Sequence, residues 1–289
     1  MISFWKRRRP SQITVGEESR AKRLRVETAM LSDVGCHRAT NEDSGKIVLP
    51  GGPEMASGRG ILALVADGMG GHEAGEVASH MAVEVVAREY YASKLEPGAA
   101  LVAGFKEANR QIHTFAAKKP ELAGMGTTCS ALAVTGETVC AAHVGDSRIY
   151  LVRRGAIYQM SEDHSEVMQM VRQGLLSLEE ARRHEDRNVL LRALGTHADV
   201  EISGWAEPLP AFPGDRFVIS SDGLHDGVRE DEIQAAVTEQ DPPAACHWLV
   251  ELARQRGGYD NITVAVVAFE AARDAAGTLR ETRSVEVAP

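Results

Sequence analysis

Four segments of this chain place an aspartate where an apolar run gives way to a tight turn: ILALVADGMGG at Asp67, CAAHVGDSRIY at Asp146, RFVISSDGL at Asp222 and GGYDNITVAVV at Asp260. A carboxylate at a strand end is held rigidly, points off the sheet edge and can meet its counterparts from neighbouring strands. Hard divalent cations such as magnesium and manganese take such oxygen ligands. Asp-Gly, Gly-Asp and Asp-Asn are also common turn formers, and any one of them alone reads as turn chemistry. Four in one chain, beside the acidic cluster Asn41-Glu42-Asp43, read as one metal site. Arg38, four residues before Glu42, adds a guanidinium fork that can hold two oxygens of a phosphoryl group. The combination suits phosphate-ester hydrolysis. Two metals about 3.5–4 Å apart can share a water and lower its pKa toward neutrality, while the arginine orients the phosphate and offsets its charge. The sequence offers neither a cysteine in a phosphate-cradling loop nor a Ser/His/Asp arrangement, so a metal-activated water is the economical nucleophile.

The elements that must position these groups follow from the pattern of apolar residues. A first strand is predicted over Arg25–Asp33, and the nearly continuous apolar run Gly60–Ala66 predicts a strand buried on both faces. Helical spacing runs over Glu73–Tyr91, and Pro97 opens a second helix reaching about Lys118. Strands are expected at Thr127–Thr135, Thr138–Val144 and Arg148–Arg153, separated by turns at Thr135-Gly136 and Gly145-Asp146, which suggests an antiparallel meander. Between Glu166 and Asn188 lies a polar helical insert, a candidate flap. VMQMVRQG forms a short helix ended by Gly174, and a capping box at Ser177 and Glu180 opens LEEARRH. Strands near Val200–Trp205 and Arg216–Ser220, helices at Asp231–Thr238 and Pro242–Arg256, and a strand at Ile262–Phe269 complete the series. Strands and helix pairs come in blocks, which argues for an α+β layered domain rather than an alternating doubly wound one.

The bulk numbers set limits. With 289 residues, 44% of them hydrophobic, the chain can build a sizeable core. The formal net charge is −9, but residues 1–25 carry +6, leaving −15 on the rest. An acidic body disfavours nucleic acid as the main partner. Cys36, Cys129, Cys140 and Cys246 are scattered without a Cys-x-x-Cys pair, which fits a reduced cytoplasmic location better than zinc or disulfides. No apolar run is long enough to span a membrane, and MISFWKRRRP has the wrong order for a secretory signal. Residues 1–25 read as a basic, flexible arm, residues 26–270 as the folded domain with its insert at 166–188, and residues 271–289 as a disordered tail.

Taken together, SDVGCHRATNED, ADGMGGHEAGEVAS, MGTTCSALAV, HVGDSRIYLVRRG, DHS, RNVLLRALG, ISSDGL and GGYDNITVAVV, in that order, resemble the bacterial form of the metal-dependent serine/threonine protein phosphatases of type 2C. The resemblance runs from about Arg25 to Phe269. It implies a four-layer α-β-β-α sandwich, two central antiparallel sheets flanked by helices, with the metals at one end of the sandwich. By the same resemblance Arg38 binds the substrate phosphate. Glu42 is a metal ligand, Asp43 acts through a metal-bound water, Asp67 bridges two metals, and Gly68 offers its backbone carbonyl. Asp222 and Asp260 complete the first metal's shell, and Asp146 with Asp222 matches a third, weaker site. Where eukaryotic members read Asp-Gly-His, this chain has Asp67-Gly68-Met69, as bacterial members do. His72, His37 and His164 lie nearby in sequence and are left outside the catalytic set, because geometry must precede pKa in naming a general acid. The implied activity is hydrolysis of phosphoserine and phosphothreonine in proteins with Mn2+ or Mg2+, opposing a bacterial serine/threonine kinase, in a monomer. A phosphohydrolase of small esters and a binding-only pseudophosphatase are the alternatives. The first lacks a Gly-rich nucleotide loop to support it, and the second should have lost a metal carboxylate.

Overall fold

The computed structural model describes residues 24–272 apart from 50, 52–57, 71, 72 and 123. The bulk of the expected arm and tail lies outside this range, as does His72.

Two antiparallel sheets stack face to face. One has five strands in the order β1 (Leu24–Asp33), β12 (Ile262–Ala271), β11 (Arg216–Ser220), β7 (Arg148–Arg153), β8 (Ala156–Gln159). The other has seven. Its main path is β10 (Leu209–Pro210), β6 (Thr138–Val144), β5 (Cys129–Thr135), β3 (Ile61–Met69), β2 (Asp43–Val48), with β4 (Gly126–Thr127) on β3 and β9 (Ser203–Gly204) on β6. The inner faces meet through Val65, Leu132, Ile149, Phe217, Ala265 and Phe269. Burying each large side chain of that set is worth about 1.5–3 kcal/mol. Residues of β3 and β12 are buried on both faces, which is why their sequences run apolar without alternation.

The outer faces carry helices. Against the seven-stranded sheet pack α1 (Glu73–Ala92) and α2 (Pro97–Ala116), the latter through Leu101, Phe105, Ala108 and Ile112 at helical spacing. Pro97 stands in the first turn of α2, where its missing N–H costs nothing. Two short helices, α3 (Glu166–Gln173) and α4 (Leu178–Ala181), form the insert. After β11 come α5 (Asp222–His225), α6 (Glu230–Glu239) and α7 (Pro242–Gln255), and the last two cover the five-stranded sheet through Ile233, Val237, Leu249 and Val250. This is the expected α-β-β-α order of layers.

Several local readings change. The expected meander does not exist: β5 and β6 pair in one sheet, whereas β7 lies in the other, so the Gly145-Asp146 turn crosses between sheets. Gly145 allows that crossing with φ of 104° and its Cα against Thr128. The predicted strand over Val200–Trp205 shrinks to Ser203–Gly204. Strand β1 begins at Leu24, paired with Ala271, so each end of the domain takes residues assigned to arm and tail. The insert holds its expected local chemistry. Gly174 caps α3 in the left-handed region at φ 75°, and Ser177 Oγ accepts from the Glu180 N–H at 3.2 Å while Glu180 Oε2 accepts from the Ser177 N–H at 2.7 Å. Its two ends are tied by an antiparallel bridge between Ser165 and Leu190.

Candidate active site

One end of the sandwich collects the acidic residues, and backbone register explains how. Asp43 opens β2 directly across from Asp67 near the end of β3. Asp67 is fixed by three bonds: its N–H donates to Thr128 Oγ1 at 2.9 Å, and its carbonyl accepts from Thr127 Oγ1 at 2.8 Å and the Thr128 N–H at 2.9 Å. Gly68 follows where the strand runs between the Glu42 backbone and the first turn of α1. A Cβ there would collide with the Gly75 carbonyl, so no other residue fits. Gly75 in turn leaves room for the Glu42 carboxylate against the helix start.

The five-stranded sheet supplies the rest. Strand β11 ends at Ser220, Ser221 stands at the N-cap of the short helix α5 that Asp222 opens, and Asp260 stands just before β12. Ser221 links the sheets: its Oγ donates to Asp43 Oδ2 at 2.8 Å and accepts from the Thr263 N–H at 2.9 Å. Asn261 holds the loop that carries Arg38 and Glu42. Its Oδ1 accepts from the Glu42 N–H at 2.7 Å, and its Nδ2 donates to the carbonyls of Val34 and Thr40 at 2.9 and 3.0 Å. Arg38, half exposed, donates from Nη2 to Asp260 Oδ2 at 2.7 Å. Asp146 sits on the crossover from β6 to β7.

Electrostatics show how close these groups are. Burial, then the charges of Asp222, Asp43 and Asp146, hold the Asp67 carboxyl well above the usual range, and it shares a hydrogen bond with Asp222. Burial followed by the charges of Asp222 and Asp163 does the same to Asp146. Burial pushes Asp43 up to about 7 against the hydrogen bonds from Thr263 and Ser221, and Asp222 up to about 6 with help from Asp226 and Asp260. Hydrogen bonding to Asp260 raises the Arg38 guanidinium, as do the charges of Asp260, Glu42 and Asp222. Burial and mutual repulsion thus oppose ionisation of this cluster, and a bound cation would favour it. The Oδ1 atoms of Asp43 and Asp222 are buried without a hydrogen-bond partner, free to take a metal or a metal-bound water. Among the described residues, no three acidic, histidine or cysteine side chains close into a compact single-ion cage. The acids come from strand ends of both sheets and from the crossover between them. The donor set fits hard divalent cations.

All seven residues of the expected metal set and Arg38 converge on this region. His164 does not join them. Its Nδ1 accepts from the Gly145 N–H at 3.1 Å, its Nε2 bonds Ser203 Oγ at 2.9 Å, and burial lowers it to about 3, so it supports the crossover as a neutral ring. His37 stacks on Tyr259 with centroids 4.9 Å apart. Sequence reasoning missed Ser221, Asn261, Thr128 and the buried Arg148–Asp163 pair, whose Nη2–Oδ2 distance is 2.6 Å. The hydroxyl or amide immediately beside Asp222 and Asp260 was the available signal for Ser221 and Asn261; Thr128, distant in sequence from Asp67, and the Arg148–Asp163 pair carried none.

The family model described as protein phosphatase 2C matches residues 54–241. The chain belongs to the protein phosphatase 2C family. It is 38% identical over 247 residues to the serine/threonine protein phosphatase PstP of Mycobacterium tuberculosis, covering 84% of this chain but 45% of that protein. To the serine/threonine phosphatase stp of Listeria monocytogenes it is 36% identical, covering 82% of this chain and 93% of that one. A crystal structure of the PstP catalytic domain in complex with two manganese ions superposes with a TM-score of 0.74 at 35% identity, covering 86% of this chain and 99% of that one. This chain thus spans about half the length of the mycobacterial relative, and nearly all of the Listeria one.

Proposed function

We propose that this chain is a metal-dependent serine/threonine phosphoprotein phosphatase. The observation that carries the reading is the set of inward-facing carboxyls at the sheet junction, raised by burial and mutual repulsion, with orphaned oxygens on Asp43 and Asp222. Glu42, Asp67, Asp222, Asp260 and the Gly68 carbonyl would hold two core ions, Asp43 would act through a coordinated water, and Asp146 with Asp222 would take a third. Bound there, manganese or magnesium would supply Lewis acidity to activate a water and would offset the charge of the acidic cluster. Arg38 binds and orients the phosphate, leaving Asp260 to do so. Thr127 and Thr128 lock Asp67 at the strand end, Ser221 fixes Asp43, and Asn261 fixes the Arg38 loop, so the binding groups need little reorganisation on loading.

Phosphoserine and phosphothreonine proteins are the substrate class, with a cognate serine/threonine kinase supplying them. The layered domain from β1 to β12 would be the catalytic domain, with the insert at 166–188 as its flap. The relatives named above support the activity. Buried free thiols at Cys129, Cys140 and Cys246 support a cytoplasmic protein. No helix among the described residues is long and apolar enough to cross a membrane.

The test is hydrolysis of a phosphothreonine peptide by metal-stripped protein, with manganese or magnesium added back, beside the Asp67→Asn variant. Metal restores wild-type turnover and leaves the variant inactive by about 10²-fold or more. A folded, metal-loaded wild type without activity would instead favour a binding-only protein.

A further inference from the structure

The loop carrying Arg38 and the loop carrying Asp260 are joined by consecutive cross-pairs. Arg38 bonds Asp260, and one residue back in each loop His37 stacks on Tyr259 with an interplanar angle of 19°. The ring pair is therefore one residue's length, about 3.8 Å along each chain, from the ion pair that marks the phosphate position. Tyr259 is 71% exposed, the largest exposure of any big apolar or aromatic side chain among the described residues. It is nonetheless held in place. Its ring lies against Gly257, where the backbone has φ of 125° and any Cβ would strike the ring, and Gly258 accepts a bond from the Cys36 N–H at 2.7 Å. A glycine pair thus lays a tyrosine flat against an exposed histidine at the edge of the site. The ring adds nothing to the core, and no hydrogen bond of the metal cluster depends on it.

We propose that His37 and Tyr259 form a stacking ledge for the polypeptide next to the phosphoresidue, so that they set selectivity for phosphopeptides, especially those with a ring side chain beside the phosphothreonine, over small phosphate esters. The proposal rests on the phosphatase reading above. A parallel, solvent-facing ring pair offers a flat apolar surface that prolyl or aromatic side chains cover with favourable stacking, and its place beside Arg38 puts that surface where the substrate chain must leave the phosphate. A small phosphate ester has no neighbouring residue to lay on it.

The experiment compares wild type, Tyr259→Ala, Tyr259→Phe and His37→Ala, each loaded with manganese, on p-nitrophenyl phosphate and on two phosphothreonine peptides with proline or glycine next to the phosphoresidue. In wild type the proline peptide has the lower KM. Tyr259→Ala raises its KM about tenfold, the scale of one lost stacking contact, with kcat held and the proline preference gone. Tyr259→Phe restores both, and the small-ester KM moves far less than the peptide KM. Equal losses on ester and peptide would assign the ring to positioning Asp260 and overturn the proposal, as would peptide kinetics unchanged in Tyr259→Ala. A wild type active on the ester but not on either peptide also overturns it; a wild type inactive on all three defeats the phosphatase reading beneath it.

Discussion

Asp222→Asn should make the metal-free protein more stable while destroying its response to metal. The Asp222 carboxyl is held at about 6 against an ordinary value of 3.8. A group whose pKa rises on folding favours the fold in its protonated form. That stability is complete below the unfolded value and is lost as pH climbs through the folded one. The window is therefore about pH 4 to 7, and above it the metal-free wild type carries the whole cost. At about 1.4 kcal/mol per pH unit, that cost is about 3 kcal/mol for Asp222 alone, and its charge also raises Asp67, Asp43 and Asp146. Asparagine keeps the shape, removes the charge, and keeps an amide oxygen to accept the hydrogen bond that the protonated Asp67 carboxyl donates. For a domain of this size about 3 kcal/mol corresponds to about 6–12 °C in melting temperature. Melts of EDTA-treated proteins at pH 4 and pH 8, repeated at pH 8 with manganese, read the effect directly. The variant should melt higher than wild type at pH 8, should match it at pH 4, and should gain much less from manganese. A variant no more stable at pH 8, or an advantage that is the same at both pH values, would refute the electrostatic account of the cluster.

Arg38→Ala should raise KM for a phosphothreonine peptide by about 10-fold or more, the value of charge-assisted hydrogen bonds to a phosphate; steady-state kinetics with KM unaltered would remove Arg38 from phosphate binding. Asp146→Ala should leave the two-ion core while shifting the metal dependence, read as a displaced activity curve in a manganese titration; an unaltered curve would count against a role for that carboxylate. Asn261→Ala removes the bonds to Glu42, Val34 and Thr40 at once and should cost about 2–4 kcal/mol in urea unfolding, together with weaker metal binding by calorimetry. Stability lost without any change in metal affinity would make Asn261 a purely structural tie.

The layers and the site chemistry were legible because both are written in short contiguous segments. An apolar run ending in an acidic turn announces the strand, its end and the side chain at that end, as at Asp67 and Asp222. What the sequence did not carry was which sheet a strand joins. The turns at Thr135-Gly136 and Gly145-Asp146 look alike, yet the first closes a hairpin and the second moves the chain to the other sheet. The choice depends on Gly145 fitting against Thr128 and on His164 receiving its N–H, contacts with residues distant in sequence. Strand β2 escaped for a related reason: DSGKIV is short and polar, and its pairing with β3 is decided by tertiary context. Ser221 and Asn261 are ordinary residues in a one-dimensional reading, and only the fold reveals that they join two sheets and two loops.

The position of the cluster has an energetic logic of its own. Asp43 and Asp67 belong to one sheet, Asp222 and Asp260 to strand ends of the other, and Asp146 to the crossover between them. Without cations these carboxyls repel across the junction, and the hydroxyl of Ser221, the shared bond of Asp67 with Asp222, the charge of Arg148, the N–H of Asn261 and the guanidinium of Arg38 act against that repulsion. A sandwich needs no acidic residues to hold its end closed; apolar ones would cost less. The arrangement therefore makes the end of the fold depend on what binds there, and it assigns Arg38 two competing anions. Asp260 holds the arginine while the acids lack cations. On the proposed reading, a metal held by that carboxylate would share its charge and weaken the pair with Arg38, leaving the guanidinium available to a phosphate. Metal binding and phosphate binding should accordingly be positively linked through Asp260, each strengthening the other by the same factor.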